Sequence, residues 1–254
     1  MIRSGLTGAL FLSGLLAVSA CVTPLPNDPD ELRRTWDQAE IRLDLGGDLA
    51  VFGRLADPRT KAVLARIPAG RKLPVVVYLH GCAGLKWSRG EAFFERLARA
   101  GYVLVAPDSF ARSYRPKMCG SANAWKDAVR NSEIRFAAEQ LAGLPWADQD
   151  KLVLMGHSEG GEIVAAYPGE EFKARIVSAA FCWRGIDSPG ETLAISVAKD
   201  YWVKHEYCRD AANKLVIDGS TQRHWPFNYP EVEAAVHAFL AARLGARLGD
   251  SSAQ

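Results

Sequence analysis

The chain has 254 residues, 48% hydrophobic and 24% charged. That is ordinary for a globular protein and ample for one large α/β domain or two small ones with a sizeable core. The 31 basic and 29 acidic residues leave a formal charge of +2. With no run of Lys and Arg to set against that balance, the composition argues against a nucleic-acid groove.

The N-terminus reads as a targeting segment. Arg3 precedes an apolar stretch, Gly5 to Val18, interrupted only by Thr7 and Ser13. The stretch is too short to span a bilayer comfortably and predicts a secretory signal peptide over residues 1–20. Val18-Ser19-Ala20-Cys21 resembles the bacterial lipobox, which implies an acylated Cys21 and a membrane anchor. The alternative is ordinary cleavage that leaves Cys21 as a thiol. By the same resemblance, Val22 rather than Asp after the cysteine implies the outer membrane, facing the periplasm. Pro24, Pro26 and Pro29 among Asn and Asp predict a tether without helix or strand over residues 21–35. The folded body is expected over 36–246, with a flexible C-terminal tail over 247–254. Beyond Cys21, the cysteines Cys82, Cys119, Cys182 and Cys208 allow three pairings, and export favours disulfides. Their spacing matches no zinc pattern, and no metal or cofactor is expected.

Along the body, strand-like and helix-like segments alternate, which predicts a mostly parallel sheet with helices on both faces. Ala50–Leu55 is a plausible early strand. Leu73–Leu79 is a β-branched and apolar run suited to a strand buried on both faces. Ser88 and Glu91 form a capping box for a helix that stops at Gly101. Tyr102–Ala106 is the next strand, Ala124–Ala142 a helix, Lys151–Met155 a strand and Ser158–Ala166 a helix. Ala174–Phe181, Thr192–Val197 and Lys214–Ile217 complete the strands. Pro230 opens a final helix that carries Val232, Val236, Phe239 and Leu240 at helical spacing.

The chemistry-bearing motif is Gly156-His157-Ser158-Glu159-Gly160, a G-x-S-x-G pentapeptide between a predicted strand and a predicted helix. A serine hydroxyl needs a base within hydrogen-bond reach. Of the five histidines, His157 is locked in the elbow, His80 suits a loop-organising role, and His205 and His237 fall on helix faces. His224, in a loop after the last strand, is the candidate base. Asp200 directly follows the Thr192–Val197 strand and is the candidate carboxylate that orients the base. Asp218 is its main rival, with Asp187 and Asp210 behind it. An oxyanion hole requires the Glu159 amide and a second amide from the loop His80-Gly81-Cys82-Ala83-Gly84.

These segments, together with Pro107-Asp108-Ser109-Phe110, Lys199-Asp200-Tyr201-Trp202 and His224-Trp225-Pro226-Phe227, resemble the dienelactone hydrolase-like branch of the α/β-hydrolase superfamily over Leu73 to Leu244. The resemblance implies an α/β-hydrolase fold, Ser158 as nucleophile, Asp200 and His224 as its partners, and oxyanion donors at the backbone of Cys82 and Glu159. Prototype members use a cysteine nucleophile where this chain has Ser158. The strand order of that fold implies the pairings Cys82–Cys119 and Cys182–Cys208. Only Cys182 to Glu191 separates two predicted strands where related lipases carry a lid domain, so no large lid is expected. Trp183, Tyr201, Trp202 and Trp225 fall near the site edge, where they could line an acyl pocket or simply pack. The expected activity is cofactor-free hydrolysis of small carboxylic esters or lactones through an acyl-enzyme. The alternatives are a prolyl-oligopeptidase-like serine peptidase and a non-catalytic binding lipoprotein on the same fold.

Overall fold

The computed structural model describes residues 25–85, 91–114, 124–203, 208–219 and 224–245. Its eight strands are β1 (Glu40–Asp44), β2 (Ala50–Arg54), β3 (Leu73–Leu79), β4 (Val103–Ala106), β5 (Ala147–His157), β6 (Ala174–Ser178), β7 (Thr192–Val197) and β8 (Asn213–Ile217). They form one sheet in the order β2-β1-β4-β3-β5-β6-β7-β8. Every neighbouring pair from β4 to β8 is parallel. The pair β1 and β2 is an antiparallel ribbon, and β1 also runs antiparallel to β4.

Among the described residues six α-helices accompany the sheet: α1 (Pro29–Asp37), α2 (Pro58–Leu64), α3 (Glu91–Arg99), α4 (Ala124–Ala142), α5 (Glu159–Ala165) and α6 (Pro230–Leu244). Strands β3 and β4 are apolar on both faces because both are covered. Val75, Val77 and Leu79 of β3 pack with Ile134 and Leu141 of α4 and Ile163 of α5. Val76 and Tyr78, on the other face, pack with Phe93, Phe94 and Leu97 of α3 and Val232, Val236 and Leu240 of α6. The predicted α/β architecture is therefore present, and residues 179–191 alone join β6 to β7.

Two N-terminal features differ from the sequence expectation. Residues 21–35 were expected as a structureless tether, but α1 begins at Pro29. Asp28 caps it, its side chain accepting from the amides of Asp30 (3.0 Å) and Glu31 (3.1 Å). Proline at the first helical position has no amide to waste there, so the residue read as a breaker is a starter. Leu32 and Trp36 are buried, and a domain boundary at residue 36 falls inside this helix. Strand β1 is the second: it stands outside the expected strands, with Arg42 between its apolar Ile41 and Leu43. Arg42 is nonetheless buried, paired with Glu91 (3.1 Å) and Glu95 (3.8 Å) of α3. The capping residue Ser88 lies outside the described residues, as do Cys21, Cys119 and His205.

Candidate active site

Ser158 stands between β5 and α5 with φ +55° and ψ −120°. A non-glycine residue in that region is strained, and such strain persists only where the surroundings over-determine it. Here they do. The Ser158 amide donates to Ser178 O of β6 (2.8 Å). A Cβ on Gly160 would lie 2.7 Å from His80 O and closer still to Leu79 O, so α5 can approach the end of β3 only with glycine at that position. The turn thus lifts the serine side chain clear of the sheet at the carboxyl ends of its parallel strands, where open α/β sheets place their sites.

His224 Nε2 is 3.1 Å from Ser158 Oγ, and His224 Nδ1 is 2.7 Å from Asp200 Oδ2. The other carboxylate oxygen, Asp200 Oδ1, accepts from the amides of Trp202 (2.8 Å) and Val203 (3.2 Å). The Asp200 side chain is 1% exposed and that of His224 26%, so the line runs from a buried carboxylate outward to a half-open imidazole. The rival carboxylate Asp218 is exposed and pairs instead with Lys199 (2.8 Å). Asp187 and Asp210 are exposed as well.

The loop after β3 closes the other side. A Cβ at Gly81 would lie 3.3 Å from Ser158 Cβ, so the backbone leading into Cys82 rests on the elbow, beside the Glu159 amide that starts α5. Cys82 is disulfide-bonded, and its expected partner Cys119 is outside the described residues. Cys182 and Cys208 are joined as expected, with Cα atoms 5.0 Å apart. This bridge ties the segment after β6 to the connection between β7 and β8, which carries Asp200. It closes a sequence separation of 26 residues, for which chain entropy predicts about 3.5 kcal/mol. The double substitution Cys182→Ala/Cys208→Ala is expected to lower the unfolding free energy by about that amount in urea titration.

His157 is buried, with Nδ1 3.2 Å from Ser178 Oγ and its ring edge-on to Trp225 at 4.4 Å. Burial, reinforced by the neighbouring His224, holds its pKa well below the ordinary 6.5. The unfolded chain therefore binds a proton that the folded one does not. This contribution to stability is complete above about pH 6.5 and is lost progressively as pH falls below it, by about 1.4 kcal/mol per pH unit. Urea midpoints between pH 7.5 and 5 are expected to show a slope about one proton shallower in His157→Asn.

Of the predicted aromatics, Trp183, Tyr201 and Trp202 are exposed. The Trp183 indole N–H donates to Glu162 Oε1 of α5 (2.7 Å), and Tyr201 and Trp202 follow Asp200 directly. A buried charged group behind the loop after β3 escaped the sequence reading. Arg130 and Glu133 of α4 meet Arg112, Ser109 and His80 there. The only local sign was the i,i+3 spacing of Arg130 and Glu133, which ordinarily marks a solvated helix face.

A family model, the dienelactone hydrolase family, matches residues 61–205, more than half of the chain. No curated protein matches the sequence. Among solved structures, the chain is similar to a Klebsiella pneumoniae protein assigned as a dienelactone hydrolase, with 16% identity, TM-score 0.54, and 70% of this chain and 89% of that one covered. An esterase of Pyrococcus furiosus is similar at 15% identity and TM-score 0.52, over 68% of this chain and 85% of that one. A puromycin-hydrolyzing peptidase of Mycobacterium tuberculosis is similar at 17% identity and TM-score 0.50 over 70% of this chain, which spans only 35% of that protein. At such identities these likenesses carry the fold. With the family match and the strand order together, this chain belongs to the dienelactone hydrolase family and is a hydrolase of the α/β-hydrolase fold.

Proposed function

We propose that the protein is a serine hydrolase of small carboxylic esters or lactones, with Ser158 as nucleophile, His224 as general base and Asp200 as the carboxylate that orients it. The observation that carries this reading is the unbroken line from Ser158 Oγ to His224 Nε2 (3.1 Å) and from His224 Nδ1 to Asp200 Oδ2 (2.7 Å). The Asp200 carboxylate holds the proton on Nδ1, which leaves Nε2 as the lone pair facing the hydroxyl. Ser158 Oγ attacks the carbonyl carbon while its proton passes to His224. The tetrahedral oxyanion is met by the amides of Cys82 and Glu159. Collapse expels the alcohol, protonated by His224, and leaves an acyl group on Ser158. Water, deprotonated by the same imidazole, then releases the acid. No step calls for a metal or cofactor. With only residues 179–191 joining β6 to β7, the site is open to small or exposed acyl groups.

Fluorophosphonate labelling with peptide mapping tests the reading. The label is expected on Ser158 and is expected to vanish in His224→Ala. A folded protein that takes no label would favour the non-catalytic alternative. Cleavage of aminoacyl-arylamides without ester hydrolysis would favour the peptidase. We further propose export and lipid anchoring through Cys21 to the outer membrane, facing the periplasm. Among the described residues no helix is long and apolar enough to cross a membrane, and the anchor we propose is the acyl chains on Cys21. Incorporation of labelled palmitate that Cys21→Ala abolishes is the expected result.

A further inference from the structure

The buried charged group behind the loop after β3 has a directional hydrogen-bond pattern. The His80 side chain meets two partners at Nε2: the Ser109 amide (3.3 Å) and the Arg130 guanidinium at Nη1 (3.3 Å). Both are donors and neither can accept, so Nε2 bears the lone pair and the proton sits on Nδ1. Nδ1 lies 2.7 Å from Gly81 O, and the ring donates to that carbonyl. Gly81 C=O belongs to the same peptide unit as the Cys82 amide. Arg130 also donates from Nη2 to His80 O (3.0 Å) and from Nη1 to Ser109 Oγ. Ser109 Oγ in turn donates to Glu133 Oε2 (2.5 Å), and Glu133 Oε1 takes Arg112 Nε (2.8 Å). All five side chains are buried. Two guanidinium groups face one carboxylate, so this group of side chains keeps an excess of positive charge directly behind the loop.

We propose that Arg130 and His80 are positioning residues of the oxyanion hole: the line Arg130–His80–Gly81 carbonyl fixes and polarises the Gly81–Cys82 peptide, whose N–H is the Cys82 donor. The inference rests on the serine-hydrolase reading above. Donation into a peptide carbonyl withdraws electron density from the amide and strengthens its N–H as a donor, and aligned hydrogen bonds reinforce one another. The buried cation of Arg130 adds to the effect, because its field is weakly screened inside the protein. No proton is transferred along the line. The residues touch neither substrate nor nucleophile and act through the Cys82 amide alone. Arg130 is suited to this because one planar fork reaches His80 O, His80 Nε2 and Ser109 Oγ together.

The test compares an oxygen ester with the matching thionoester. Sulfur is a weak hydrogen-bond acceptor, so the thionoester gains little from the oxyanion donors. The wild-type preference for the oxygen ester in kcat/KM therefore reads the strength of the hole. Arg130→Met and His80→Phe are expected to lower that preference at least about fivefold, through kcat rather than KM. Arg130→Lys, which keeps the charge but cannot span the three acceptors, is expected to fall between them and the wild type. It also serves if removal of the buried cation prevents folding. Equal slowing of both substrates in folded Arg130→Lys and His80→Phe, with the preference unchanged, would overturn the inference. Ser158→Ala separates the two readings: if it retains ester hydrolysis, the serine assignment fails, whatever the preference ratios show.

Discussion

Asp200→Asn is expected to lower kcat about ten-thousandfold while KM stays near its wild-type value. The size of the effect follows from the two sides of this carboxylate. Oδ1 accepts two backbone amides, from Trp202 and Val203, and Oδ2 accepts from His224 Nδ1. An asparagine has one oxygen, and the two amides claim it. Its NH2 group is then turned to His224 Nδ1, which must accept instead of donate. The imidazole proton moves to Nε2, and Ser158 Oγ, 3.1 Å away, faces an N–H where it needs a lone pair. Substrate binding does not involve this bond, so the loss falls on kcat. Steady-state kinetics beside Asp218→Asn decide the matter. Asp218 makes an exposed ion pair with Lys199, and its substitution is expected to stay within about twofold, since such pairs contribute little. Wild-type-like kcat in Asp200→Asn together with a collapse in Asp218→Asn would transfer the role to Asp218.

The elbow was legible in the sequence because its determinants are local. An apolar run, Leu152 to Met155, leads into Gly156, glycines permit the tight turn, and an apolar helical run follows. The same holds for α4 and β7, whose observed ends coincide with the predicted Ala124–Ala142 and Thr192–Val197. Strand–helix alternation needs only the two hydrophobic periods to be read. The association of Asp200 with His224 is less legible in the sequence, since Asp218 lies only six residues before the histidine. What separates them is the turn after β7, in which Asp200 bonds its own following amides while Lys199 points away to Asp218. That geometry is set by the chain around the turn and has no periodicity to betray it.

Buried charge is where the sequence misleads. Arg42 breaks the pattern of β1, and Arg130 and Glu133 give α4 a polar face, yet all three are buried. Their compensation comes from partners distant in the chain: Arg42 pairs with Glu91, and Arg130 reaches His80. A one-dimensional reading sees a charge and assigns it to solvent, because a buried charge without its partner would be prohibitive. The partner becomes visible only once the chain has folded back.

The N-terminal segment is the sharpest case, and it sets a large expected effect. A chain that begins at Trp36, the boundary its prolines suggest, is expected to be less stable than one that begins at Leu25 by roughly 5 kcal/mol. Leu32 loses its buried place on the body, which for a core leucine is worth about 2–5 kcal/mol. Glu31 Oε2 and Oε1 accept from the Ser113 amide and hydroxyl, each at 2.7 Å, and Pro26 O accepts from Arg112 Nη2 (3.0 Å). Truncation leaves these donors without their partners, at about 1–3 kcal/mol for each that stays buried. The sum is comparable to the whole stability of many domains. Arg112 also holds Glu133, the carboxylate that Arg130 and Ser109 share behind the loop after β3. The damage is therefore expected to reach the site as well as the fold. Urea midpoints of the two chains measure the first effect, and kcat below the unfolding transition measures the second. Equal midpoints would mean that α1 is docked without being needed. An unequal midpoint with unchanged kcat would confine its role to holding the body together.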